Sequence, residues 1–269
     1  MSWMRSKFLV AVLVMASGAV YATESRPPNI VFILIDDMGF ADLSATGNTM
    51  VQTTNIDELA AQGMLMTQFY VGSPICSPSR VAFTTGSFPS EHGINSYLAT
   101  REHNRNRDMV DFLDPRVTTL AKTLRSAGYA TAHVGKWHMG GGRDVGDAPL
   151  PTEYGFDESL VAFEGLGERL LPIEDSLSDL SEALGRGPTT RVNWRELAPA
   201  YVDRSIDFMT RNADRPFYLQ LWLNDVHSPW APSYAMVKEQ FDSHPGGHQQ
   251  RFNAMLKHTD RQIGRFVAA

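Results

Sequence analysis

The chain has 269 residues, 43% of them apolar and 20% charged, long enough to bury a large core and without the bias of a disordered protein. Its formal net charge of −6 offers no general attraction to nucleic acid or other polyanions, so an anionic ligand has to be held by a local cation cluster or a metal. A single cysteine excludes an internal disulfide.

Arg5 and Lys7 precede an apolar run from Phe8 to Val20 that closes on Val20-Tyr21-Ala22. The pattern predicts a cleaved secretory leader over residues 1–22, too short to span a membrane, and a periplasmic or secreted mature protein beginning near residue 23. Export places the lone thiol of Cys76 in an oxidising compartment, where it is a liability unless it is buried or chemically converted.

Asn29 to Ile35 is an apolar run without alternation and predicts a central parallel strand buried on both faces. It stops at Asp36-Asp37-Met38-Gly39, two carboxylates at a strand's carboxyl end, where open α/β sheets bind ligands. Adjacent buried carboxylates repel unless a positive group neutralises them, and all-oxygen ligation points to Ca²⁺ or Mg²⁺. Residues 54–63 predict a helix capped by Thr54 or Asn55 and ended by Gly63. Met64 to Val71 reads as a second strand, leading to Cys76-Ser77-Pro78-Ser79-Arg80 and Thr84-Thr85-Gly86. Pro78 suits a first helical turn, so a helix begins near Cys76 with free N–H groups that favour an anion.

Residues 87–115 are polar, and His92 and His103 read as loop or surface histidines. Residues 117–127 predict an amphipathic helix ended by Gly128. Tyr129 to Val134 predicts a strand that delivers Gly135-Lys136-Trp137-His138-Met139-Gly140; in extended backbone Lys136 and His138 point the same way. Residues 141–196, which include Tyr154-Gly155-Phe156-Asp157, read as loop-rich with few long elements. A helix over Leu197–Arg211 and an apolar strand over Phe217–Leu223 follow, and the strand ends at Asn224-Asp225-Val226-His227. His244 and His248 read as a loop, and a last helix runs from about 250 to 268. Strands alternating with helices predict an α/β fold, a predominantly parallel central sheet flanked by helices on both faces.

Cys-x-Pro-x-Arg with Thr-Thr-Gly behind it, the Asp-Asp pair and Gly-Lys-Trp-His occur in the order found in type I sulfatases. From about Asn29 to Ala269 the chain resembles the N-terminal portion of that family, within the alkaline phosphatase superfamily. The resemblance implies that a maturation enzyme oxidises Cys76 to formylglycine, whose hydrate attacks sulfur and later expels sulfate. It implies a divalent metal on Asp36, Asp37 and the modified Cys76, with Arg80 holding the hydrate and Lys136 binding sulfate. His138 and His227 would serve proton transfer at the released sulfate and the leaving oxygen, and the substrate would be a sulfated sugar or small sulfate ester. The same resemblance implies a further strand bearing an Asp-Asn pair and a C-terminal subdomain, neither of which follows Ala269. A truncated catalytic domain over 23–269 is therefore expected, with a strand left unpaired and apolar surface exposed. A catalytically silent sulfatase-like protein, or a phosphodiesterase or phosphonate hydrolase of the superfamily, stays open as an alternative.

Overall fold

The computed structural model describes residues 26–173, 175–240 and 247–269; the leader at 1–22 and His244 lie outside them. Six strands are present there: β1 (Ile30–Ile35), β2 (Ala130–Lys136), β3 (Glu158–Ala162), β4 (Arg169–Pro172), β5 (Thr189–Val192) and β6 (Phe217–Leu223). Eight α-helices accompany them: α1 (Thr54–Gln62), α2 (Cys76–Thr85), α3 (Arg101–Arg105), α4 (Leu120–Ser126), α5 (Ser176–Ala183), α6 (Leu197–Arg211), α7 (Tyr234–Lys238) and α8 (Gly247–Val267).

The strands form one sheet in the order β1-β6-β2-β3-β4-β5, and every pairing is parallel. Side-chain alternation along β6 divides the core in two. Phe217, Leu219, Leu221 and Leu223 pack with Tyr201, Val202 and Phe208 of α6 and Ile263 and Phe266 of α8. Tyr218 and Trp222 face the other way, toward Val81 of α2 and Ala121 of α4. Helices thus cover both faces, as the strand-helix alternation required.

Register brings the carboxyl ends of the first three strands level. Ile35 pairs with Leu223, and Gly135 with Trp222, so Asp36, Asn224 and Trp137 leave the sheet side by side. Gly135 has φ +122°, and a Cβ there would fall 1.9 Å from the Trp222 carbonyl oxygen. Only glycine allows that approach.

Several expectations need correction. β1 is an edge strand, with β6 on one side and no partner on the other among the described residues; Val31 is 38% exposed. Ile33 and Ile35 pack on one side of the sheet and Ile30, Phe32 and Leu34 on the other, so both faces of the run meet the core, and the edge position leaves those side chains half-buried. Residues 64–71 form no strand: Met64, Leu65, Met66, Phe69, Tyr70 and Val71 are exposed. A strand exists only as one member of a hydrogen-bonded pair, and this run pairs with no described strand. The loop-rich region 141–196 contains β3, β4, β5 and α5, half of the sheet, in strands of four or five residues. Thr54 and Asn55 do not cap α1. Its backbone N–H groups at Asn55 and Ile56 donate to Asp260 of α8, each at 3.0 Å, a cap that local sequence cannot reveal. His248 lies in the first turn of α8, not in a loop.

His133 on β2 is fully buried, donates Nδ1–H toward Gln220 Oε1 at 2.9 Å and sits among Trp137, Phe156 and Trp222. Burial pulls its pKa down to about 4. The unfolded chain therefore takes up the proton first, and stability falls as the pH drops from the ordinary value of 6.5 toward 4. Between pH 7 and pH 5 the wild type should lose about 2 kcal/mol more than His133→Gln in urea titrations; equal losses would contradict this assignment.

Candidate active site

β1 places Asp36 and Asp37 directly after its last residue, and α2 starts at Cys76. Cys76 and Arg80 are four residues apart and so share a helix face. Around them lies a cavity of about 220 Å³ lined by Asp36, Asp37, Met38, Pro74, Cys76, Ser79 and Arg80. The helix is fixed from behind: the Leu98 N–H donates to Ser77 Oγ at 3.0 Å, and Val81 is fully buried.

The centre of the site is a buried charge cluster. Arg80 is 1% exposed, Lys136 2% and Asp36 6%. Lys136 Nζ donates to Asp36 Oδ2, and Arg80 Nη2 faces Asp36 Oδ1 at 3.2 Å. Arg80 also donates Nη1–H to the Lys136 carbonyl at 3.0 Å, and its guanidinium lies 5.1 Å from the centre of the Trp222 ring. Burial pushes the Asp36 carboxyl up, but Lys136 and Arg80 outweigh it and hold the pKa below the ordinary value. Burial likewise pulls Arg80 down against the opposing pull of Asp36. The Cys76 thiol is pushed up by burial despite Lys136 and Arg80 nearby, so as a cysteine it stays protonated and is a poor nucleophile.

Asp37, with φ +57°, turns its carboxylate outward, where Oδ2 lies 3.5 Å from His227 Nε2. His227 donates Nδ1–H to the Ser228 carbonyl at 2.5 Å, which leaves Nε2 directed at the site. Lys136 and His227 line a second, narrower cavity of about 30 Å³ with Phe163, Trp194 and Asn224. The structure thus brings Asp36, Asp37, Cys76, Arg80, Lys136 and His227 into one cluster.

His138 stands apart. β2 ends at Lys136 and His138 has φ +50°, so the extended backbone assumed for Lys-x-His does not continue. His138 is 2% exposed and donates Nε2–H to the Leu98 carbonyl at 3.0 Å. Burial holds its pKa well below the ordinary value, so the ring is neutral. Its Nδ1 is buried without a partner. His138 lines neither cavity, and the Phe163 ring lies edge-on to it at 4.8 Å and also 4.8 Å from Lys136 Nζ. Phe163, Glu164, Arg143, Trp194 and Asn224 were missed in the sequence, since no motif marks them.

Carboxylate donors suit Ca²⁺ or Mg²⁺, which take six or more oxygens. Asp36 and Asp37 fit such an ion as part of a cage only. Among the described residues no group of three or more His, Cys, Asp or Glu is placed to hold a metal. Arg80 also carries a buried Nε with no partner, which fits an added oxygen on the neighbouring Cys76 side chain.

The fold and this cluster define an α/β protein whose parallel strand ends gather two carboxylates, two buried cations and a cysteine around one cavity. The Sulfatase family profile matches residues 28–269, and the chain belongs to that family. The N-acetylgalactosamine-6-sulfatase of Canis lupus familiaris is 30% identical over 267 residues, which cover 94% of this chain and 48% of that protein. Arylsulfatase G of Rattus norvegicus is 29% identical, covering 98% of this chain and 54% of its own length. The crystal structure of Ps i-CgsB in complex with k-i-k-neocarrahexaose superposes with a TM-score of 0.74 at 26% identity, over 90% of this chain and 54% of that one. The chain spans about half the length of the curated relatives it matches. Among the described residues no helix is long and apolar enough to cross a membrane.

Removing the shared carboxylate leaves two buried cations facing each other. Asp36→Ala should therefore cost about 3–5 kcal/mol in urea denaturation, and adding Lys136→Met should restore part of that loss. Simple additivity of the two substitutions would contradict the coupling.

Proposed function

We propose that this site hydrolyses a sulfate ester, and the observation that carries the reading is the arrangement of Cys76, Arg80 and Lys136 around Asp36. Two carboxylates are balanced here by two buried cations, so the cluster as it stands has little net attraction for an anion. A divalent cation held by Asp36 and Asp37 would supply Lewis-acid charge neutralisation, and the fixed charges of Arg80 and Lys136 would then stand uncompensated toward the sulfuryl oxygens. The aldehyde made from Cys76 would supply, as its hydrate, the hydroxyl nucleophile that the protonated thiol cannot.

The remaining roles belong to this chain's own side chains. Lys136, rooted in β2 and unable to leave the cluster, offers a fixed positive charge in a water-poor setting, where such charge is most effective. Arg80 orients the oxygen on residue 76 through its free Nε. His227 presents Nε2 at the mouth beside Asp37 and can give a proton to the departing alcohol oxygen. His138 keeps a free Nδ1 lone pair in a neutral ring and can accept a proton once the Phe163 side gives access. Lys136, Arg80 and the N–H groups at the start of α2 bind; His227 and His138 move protons.

The substrate reading follows from the relatives. One is named for the 6-sulfate of N-acetylgalactosamine, and a structural neighbour was crystallised with k-i-k-neocarrahexaose. A sulfated sugar is the class we assign here, with residues 23–269 as the catalytic α/β portion. Export behind the 1–22 leader, and a maturation enzyme acting on Cys76, complete the proposal.

Protein purified from its own host should cleave 4-nitrophenyl sulfate in preference to 4-nitrophenyl phosphate. Cys76→Ala should lower kcat/KM on the sulfate by at least about 10³-fold, since removing a nucleophile costs orders of magnitude. A preference for the phosphate, an unaffected alanine variant, or no turnover of either ester would each count against the reading.

A further inference from the structure

Beside the cluster, on the side of Lys136 and His227, the carboxyl edge of the sheet carries a second group of polar residues. Arg143 donates Nε–H to Glu164 Oε1 at 2.7 Å, and the Glu164 side chain is only 4% exposed. This is the one hydrogen bond of either side chain among the described residues, so the Arg143 Nη groups and Glu164 Oε2 keep free donor and acceptor capacity. A built surround holds the pair. The Glu164 carboxylate lies so close to Gly142 that a Cβ there would meet Oε2 at 2.5 Å.

The backbone in this place is unusual as well. Among the described residues seven non-glycine positions have left-handed backbone, and His138, Arg143, Phe163 and Glu164 are four of them, with φ of 50°, 54°, 60° and 55°. Such backbone is costly for a residue with a side chain, and such strain gathers at functional sites. The polypeptide leaving β2 and β3 is thus bent to hold Phe163, Glu164 and Arg143 where they are.

The pair opens into a cleft of about 370 Å³, counted out to its open mouth, whose interior is only about 20 Å³. Trp194, Phe163 and Asn224 line this cleft and also line the cavity of Lys136 and His227, so the two are continuous walls of one surface. An interior of that size takes one water-sized group. It admits a hydroxyl and excludes a ring, which has to rest outside against the indole.

We propose that Arg143 and Glu164, with Trp194, form the subsite that reads a ring hydroxyl of the alcohol half of the ester, and so select a sugar sulfate over a plain aryl sulfate. The assignment rests on the sulfatase reading. A sugar hydroxyl both donates and accepts, and a paired guanidinium and carboxylate answers both needs with no net charge. An anionic substituent would gain little here, because Glu164 already compensates Arg143. The indole face supplies apolar contact for the C–H face of the ring.

The test compares galactose 6-sulfate with 4-nitrophenyl sulfate on wild type, Glu164→Gln and Arg143→Lys, with the protein as its host makes it. Both variants should raise KM for the sugar ester about 10-fold or more while kcat stays within about 2-fold, because a site built to hydrogen-bond a hydroxyl loses at least that much when the bond fails. The aryl ester has no ring hydroxyl and its constants should move less than about 2-fold. An equal loss on both esters would mark the pair as structural only and overturn the proposal, as would no loss on either. Saturation-transfer NMR with unsulfated galactose provides a readout independent of turnover. Contact with wild type that Arg143→Lys loses supports the subsite even if neither ester is cleaved, in which case the sulfatase reading alone fails. No contact with wild type, whether sugar kinetics are unchanged in the variants or neither ester is cleaved, overturns the subsite.

Discussion

Asp36 is one buried carboxylate held between two buried cations, and the arrangement of the site depends on it. An ion pair taken out of water gains stability only when its geometry and remaining hydrogen bonds repay desolvation. Here Lys136 donates to one oxygen, Arg80 faces the other, and Arg80 also ties itself to the Lys136 carbonyl. Three elements, the end of β1, the end of β2 and the first turns of α2, are thereby fixed to a single carboxyl group. The same tie keeps Cys76 beside Lys136 and Arg80.

The topology explains why these elements can meet. β6 lies between β1 and β2, although it comes last in the chain. A nearest-neighbour sheet would have set β1 against β2 with no room for a third loop. With β6 inserted, the Asn224–Ser228 segment emerges between the carboxylates and the lysine, and His227 arrives opposite Asp37. Val226 N–H donates to the Asp36 carbonyl at 3.0 Å and locks the two strand exits together. The parallel register then does the rest, since all three strands end at one level.

Much of this was legible in sequence where periodicity is long and uninterrupted. Leu197–Arg211 and Phe217–Leu223 matched their predicted bounds because one carries a full amphipathic stripe and the other a seven-residue apolar run. β3, β4 and β5 were not visible, because four or five residues hold too few periods to stand out from loop. The run at 64–71 has strand composition but no partner among the described residues, and pairing is what makes a strand. In the site, Asp36, Asp37, Cys76, Arg80, Lys136 and His227 sit in recognisable motifs. Glu164, Phe163 and Trp194 do not, since only the fold brings them to Lys136. His138 shows the limit of a motif: its spacing suggested a shared direction with Lys136, but its own left-handed backbone ends the extended run and it lines neither cavity.

The central claim is that the cations around Asp36 serve an oxygen nucleophile made from Cys76 rather than a thiol. The most direct measurement is the mass of the Cys76-containing peptide from protein purified from its native host. The account predicts the mass of the thiol-to-aldehyde conversion, with capture of that peptide by a hydrazide reagent. An unmodified thiol, alkylated in full by iodoacetamide, would contradict it and leave the cluster as a structural ion network alone.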